Sequence, residues 1–190
     1  MTSFVSKLSA ICVKKDLINA EDAPWFEYGI ETRITTAACL IPFTLLAMKL
    51  SDIPTTLAFL ATFKLLRART SGYHANSTLE CILVSLVMEL FFLGVFLPHL
   101  STIVFYISIS VSFTIIFFLA PFAHPNMNFS KKEVCALRTC ARRSVTLTTL
   151  FALLCYRFNF TTIAKGITTG TAMASFMLCL AYFIDWRKSI

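Results

Sequence analysis

Ser101-Thr-Ile-Val-Phe-Tyr-Ile-Ser-Ile-Ser-Val-Ser-Phe-Thr-Ile-Ile-Phe-Phe-Leu-Ala-Pro121 contains no charged side chain. An α-helix needs about 20 apolar residues to cross about 30 Å of hydrocarbon, and this stretch has that length. Gly166–Ile184 is also free of charge, and Leu79–Leu97 carries only Glu80 and Glu89. A transmembrane β-barrel would instead alternate apolar and polar residues over segments of about ten. These runs are continuous, so they predict an all-α integral membrane protein.

Composition agrees. Of 190 residues, 57% are hydrophobic and 14% charged, where a soluble domain carries about 25% charged residues. Three further stretches are weaker: Ile34–Met48 and Ile53–Leu66 are short, and Ser144–Phe160 is interrupted by Arg157. Together they predict a single domain over 1–190, with about six transmembrane or membrane-embedded helices across 34–184. Residues 34–66 either span twice or re-enter, and each choice leaves the later loops on the same side. Phe4, Val5, Leu8, Ile11 and Cys12 recur at helical spacing, which predicts an amphipathic interfacial helix over 1–20. Lys7, Lys14 and Lys15 interrupt the place where a signal-peptide core would lie, so no cleavable signal is expected. Asp22-Ala-Pro24 reads as a helix start, with Asp22 as N-cap.

The basic residues divide unevenly between the connections. One side collects Lys7, Lys14, Lys15 and Arg33, then Lys64, Arg67 and Arg69, then Lys131, Lys132, Arg138, Arg142 and Arg143, and finally Arg187 and Lys188. The other side holds Lys49, Arg157 and Lys165. This asymmetry predicts a multi-pass protein with both termini in the cytoplasm.

The cysteines at 12, 39, 81, 135, 140, 155 and 179 are odd in number and scattered, with no C-x-x-C pair. Free thiols are expected, with no disulfide framework and no metal site.

The chemistry is concentrated in Arg67-Ala-Arg-Thr-Ser-Gly-Tyr-His-Ala-Asn-Ser-Thr-Leu-Glu-Cys81. A polar loop there turns into an apolar helix on the reducing, cytoplasmic side. Ser77-Thr-Leu-Glu80 fits a capping box. With Ser77 as N-cap, Cys81 lies in the first turn, where unpaired amides and the helix dipole favour a thiolate. His74 is a candidate general base. Seven residues along one helix span about 10.5 Å, so a His74–Cys81 dyad requires the chain to bend between Gly72 and Ser77. The pair alone is a weak cue, since Glu80 has a capping role and Arg67 and Arg69 serve equally as topology anchors.

The pattern Arg67-x-x-x-Ser-Gly-Tyr-His74-Ala-x-Ser-x-x-x-Cys81 resembles the signature of the accessory gene regulator B (AgrB) family, membrane cysteine endopeptidases that process quorum-sensing propeptides in Gram-positive bacteria. Tyr28-Gly-Ile-Glu31 is similar to the family's approach to its first membrane helix. Ala120-Pro-Phe-Ala-His-Pro-Asn126 is similar to its fourth-helix exit. Ser71 departs from the pattern, where a second glycine is common. The resemblance implies Cys81 as nucleophile and His74 as general base. It implies an AgrD-like propeptide as partner, cleaved at its C-terminal tail through an acyl-enzyme and closed into a thiolactone or lactone. It also implies a homodimer in contact with membrane lipids, and it calls for no cofactor and no nucleic acid.

Glu31 is a candidate orienter of His74, equally placed in sequence to pair with Arg33 or Arg67. The basic loop from Lys131 and Lys132 to Arg143, with Arg67 and Arg69, suits an acidic propeptide tail, although orientation alone explains those charges. Glu89 lies two turns beyond Cys81, where a carboxylate within a membrane segment is costly. It either lines a substrate cavity or is buried in a helix contact. His99 carries no assigned chemistry. The competing class is a non-catalytic helical membrane module such as a peptide exporter or transporter subunit. Broken helices and internal repeats with midplane polar residues would mark a transporter, and no convincing repeat relates the two halves.

Overall fold

The computed structural model describes residues 2–15, 17–70, 78–122 and 131–188. Among the described residues all regular structure is helical, with no strand. Seven α-helices follow in order: α1 (Thr2–Lys14), α2 (Ala23–Leu50), α3 (Ile53–Thr70), α4 (Thr78–Glu89), α5 (Thr102–Leu119), α6 (Lys131–Arg157) and α7 (Thr161–Lys188). Leu90–Phe96 continues α4 as a π-helical segment. Each apolar stretch of the sequence therefore lies in a helix. Two helices, over Thr102–Leu119 and Thr161–Asp185, are long and apolar enough to cross a membrane, and Leu40–Leu50 and Ile82–Phe96 are shorter apolar lengths.

The chain divides into two compact units, Met1–Phe43 and Thr44–Ile190. In the first, α1 ends at Lys14, and Val5 and Ser9 on one of its faces are buried. A short 3-10 turn, Ala20–Asp22, leads into α2, and the Asn19 side-chain amide donates to the Asp22 carboxylate at 3.2 Å. Pro24 is the second residue of α2, where its missing N–H leaves no helical bond unmade.

The second unit is a helical bundle around α7. α3, α5 and α7 run parallel. On α3 and α7, Thr55 meets Thr162, with its hydroxyl donating to the Thr162 carbonyl at 3.1 Å, and Phe59 meets Gly170 further along. On α5 and α7, the Ser175 hydroxyl donates to Ser112 at 3.2 Å, and the Tyr182 hydroxyl donates to the Leu119 carbonyl at 2.7 Å. α6 runs the other way, for Arg142 bonds Phe117 near the end of α5 while Tyr156 bonds Thr102 at its start. Thr70 at the end of α3 and Ser101 before α5 lie at opposite ends of the bundle. The chain through α4 and the π-helical segment therefore traverses its length, and Phe92 packs edge-on against Phe176 of α7.

Small residues permit this packing. A Cβ on Gly166 would lie 2.5 Å from the Thr55 carbonyl oxygen, and one on Gly170 would lie 2.8 Å from that of Phe59. Glycines four apart thus let the backbones of α3 and α7 touch, as in small-residue packing of membrane helices. Hydroxyls lie in this interior and donate within their own helices: Thr168 to the Ala164 carbonyl at 2.9 Å and Thr171 to the Ile167 carbonyl at 2.8 Å. These buried oxygens are thereby satisfied without water.

Much of the outside is apolar. Ile103, Ile107, Val111 and Phe118 of α5 and Leu147, Leu150, Phe151 and Leu154 of α6 are all exposed. Soluble monomers rarely present apolar patches of this extent.

Helix ends follow local chemistry. Ser101 caps α5, its hydroxyl accepting from the Val104 amide at 3.5 Å. α6 ends at Arg157 in a Schellman turn, with Asn159 at φ 64°, its amide on the Tyr156 carbonyl and that of Phe160 on Cys155. Arg157 marks a helix end and not a break within a span.

Candidate active site

The signature stretch is described on both flanks. Arg67, Arg69 and Thr70 form the last turn of α3, and α4 opens at Thr78. Gly72, His74 and Ser77 lie outside the described residues. Cys81 belongs to α4, with its side chain outside the description. The side chains of Glu31 in α2 and of Lys131 and Lys132 in α6 are outside it too, as is His124. The arrangement of His74, Cys81 and Glu31 relative to one another is thus not among the described features.

Among the described residues α4 begins at Thr78, with Glu80 and Cys81 on its first described turn. The first four amides of a helix lack intrahelical acceptors and carry its positive end. With the capping box setting the helix start, as the sequence predicts, Cys81 lies on the turn that stabilises an anion.

The structure joins two stretches that lie far apart in sequence. The Phe122 amide donates to the Thr70 carbonyl at 3.0 Å, so Ala120-Pro121-Phe122 abuts the residue immediately before the signature loop. Phe122 also packs edge-on against Tyr182 of α7, with ring centroids 4.9 Å apart. Leu66, Ile116, Ala120, Phe122, Ala141 and Leu178 form the buried core beneath this end of the bundle.

The basic residues gather at the same end. Arg69 bonds the Ser144 hydroxyl, Arg67 is half-buried one turn before Thr70, and Arg142 lies over the Phe117 ring, 4.8 Å from its centroid. The stretch from Lys131 to Arg143 is not a loop. It forms the first turns of α6, because Val134, Leu137, Ala141 and Val145 recur at helical spacing and the last two are buried. Arg157 and Lys165 lie at the opposite end.

Glu89 is fully buried at the last position of α4, and neither carboxylate oxygen has a hydrogen-bond partner among the described residues. It is buried in the helix packing and does not line either of the two cavities described in the bundle. His99 is exposed, with Nδ1 2.7 Å from the Val95 carbonyl.

Sequence reasoning missed the residues that tie this end together: Ser144, Phe117 and Tyr182. The Gly166-x-x-x-Gly170 spacing could have pointed to the close packing, which sequence reasoning also missed. Ring stacking on Arg142 and the Tyr182 bond depend on which helices become neighbours.

No curated protein and no solved structure was found to match the chain. A family model, accessory gene regulator B, matches residues 4–178. That match covers nearly all of the described bundle and includes both stretches joined at Thr70 and Phe122, and the chain belongs to the accessory gene regulator B family.

Proposed function

We propose that this chain is a multi-pass membrane cysteine endopeptidase that trims a small AgrD-like propeptide and closes it into a quorum-sensing peptide. The observation that carries the reading is the His74-x6-Cys81 signature in a member of this family, with Cys81 borne on α4.

Cys81 acts as nucleophile and His74 as general base. His74 takes the thiol proton, and the thiolate attacks the scissile peptide carbonyl. Amides at the start of α4 stabilise the oxyanion. Collapse expels the C-terminal fragment, whose amine takes the proton back from His74, and leaves a thioester on Cys81. A thiol or hydroxyl of the propeptide then displaces Cys81 and closes the ring. Glu31 orients His74, and Arg67, Arg69, Lys131 and Lys132 attract the acidic tail.

The membrane reading is supported by the apolar exterior, by the two long apolar helices and by the alternating helix directions. It places the basic end, with the active site and both termini, on the cytoplasmic face. The same reading has the protein act as a homodimer.

The test is cleavage of a purified propeptide by protein reconstituted in liposomes. Cys81→Ala and His74→Ala are each expected to lower cleavage by about 10³-fold or more, with membrane insertion unchanged. A Cys81→Ala protein that still cleaves would overturn the mechanism, and a parent protein that inserts but does not cleave would favour a non-catalytic module such as a peptide exporter.

A further inference from the structure

Between α5 and α6, at the basic end, lies a cavity of about 490 Å³ lined by Phe117, Thr139, Arg142, Arg143, Thr146 and Leu147. Its walls are divided. Phe117 and Leu147 are apolar, and Arg142 and Arg143 bring two positive charges with no carboxylate in the lining. Arg142 is held in place, since its Nε donates to the Phe117 carbonyl at 3.1 Å and its guanidinium covers the Phe117 ring. The terminal nitrogens of its fork make no hydrogen bond to the described residues. Neither does exposed Arg143.

The level of the cavity identifies the kind of ligand. α6 changes character at Arg143: the preceding residues are rich in Lys and Arg, and Ser144–Tyr156 contains no charge. Phe117 lies two residues before the end of the uncharged helix α5. α6 therefore passes from apolar to polar at the cavity, and α5 ends beside it. On the apolar side, Leu147, Leu150 and Leu154 of α6 form an exposed stripe leading away from it. A ligand filling this niche has an anionic group at two arginines and a long apolar chain below.

We propose that Arg142 and Arg143 form a binding site for the phosphate of an anionic phospholipid, whose acyl chain runs along Leu147, Leu150 and Leu154. The fork geometry of arginine suits a phosphate. The site shares no residue with the signature and anchors the α5–α6 pair. The proposal rests on the membrane reading given above and not on the assignment of Cys81.

The test uses the full-length Cys81→Ala protein, so that lipid retention is read independently of catalysis. Carbonate-washed membranes first establish insertion; protein released by the wash would refute the membrane reading itself. Detergent-purified, delipidated protein is then given phosphatidylglycerol or phosphatidylcholine, and bound lipid is counted by native mass spectrometry. Phosphatidylglycerol is expected to be retained, and Arg143→Gln to weaken retention about five-fold, as befits one basic residue near a lipid surface. Arg142→Gln adds a similar loss. Arg157→Gln, at the opposite end, leaves retention unchanged.

Arg143→Gln alters an exposed residue, so its effect stands even where Arg142→Gln impairs folding. Equal retention of the two lipids, or equal loss in Arg157→Gln, would overturn the proposal. So would displacement of the lipid by millimolar inorganic phosphate, which would mark a simple phosphate site. Displacement by a synthetic acidic propeptide tail would instead assign the arginines to the substrate.

Discussion

α5 and α7 look alike in sequence, being long and apolar, yet they occupy opposite environments. In α5, 22% of the apolar window is buried, and in α7 61%. Bulk hydrophobicity does not choose the central helix here, since α5 is the more continuously apolar of the two. Side-chain size does. α7 carries Gly166, Gly170, Ala174 and Ala181 along its buried face, together with hydroxyls that bond within the helix. In α5, Ile103, Ile107, Val111 and Phe118 point outward. On the proposed membrane reading the surroundings are as apolar as leucine, so burying a large aliphatic chain gains little and close backbone approach decides who packs inside.

The largest break in this comparison is expected at Gly166. A Cβ there meets a backbone oxygen at 2.5 Å that no rotamer change can move. Gly166→Ala is expected to cost about 1–3 kcal/mol through overpacking, more than the roughly 1 kcal/mol that alanine contributes through helix propensity. Unfolding titrated with SDS, followed by circular dichroism, measures this. Unchanged or increased stability would refute the packing argument. Gly94 of the π-helical segment provides the control, since nothing lies within 4 Å of its added Cβ.

The entries to the two helices differ as well. α5 begins at a serine cap, and α7 follows the Schellman turn at Asn159. A branched residue at φ 64° is strained, so Asn159→Val is expected to cost about 1–2 kcal/mol and Asn159→Gly to be nearly neutral. Equal stability of Val and Gly variants would contradict the turn.

A smaller effect is expected where the helices share a polar contact. Ser175→Ala removes the bond to Ser112 and is expected to cost about 0.6 kcal/mol, the usual size for a hydrogen bond between membrane helices. A double-mutant cycle with Ser112→Ala isolates that contribution, and a coupling of zero would remove it from the account. Smallest of all is Val111→Ala on the exposed face of α5, expected to lie within about 0.5 kcal/mol of the parent. A cost of about 2 kcal/mol or more there would mean that a partner covers this face.

Much of the fold is legible in the sequence. The uncharged runs form α5 and α7, and Leu79–Leu97 lies almost wholly in α4 and the π-helical segment. The basic stretch beginning at Lys131 reads as a loop from its charges and is helical, because a charge count locates a side of the membrane and is blind to Leu137, Ala141 and Val145 at helical spacing. The candidate site is legible as a motif only: His74 and Cys81 are set by their spacing and by the family, and their mutual geometry lies outside the described residues. Glu89 is the reverse case, since the sequence leaves open whether it faces a cavity or the packing, and its complete burial follows from neighbours that no local pattern names.

The sequence by itself determined the apolar helices and the uneven distribution of charge, because these depend on residues within a few positions of one another. Only the tertiary structure decided that α7 is central, that Phe122 closes on Thr70 beside the signature loop, and that Arg142 stacks on Phe117 above an apolar niche. Those contacts join residues from 25 to more than 100 positions apart, and they arise from which backbones can approach closely, a property of shape that hydrophobicity does not encode.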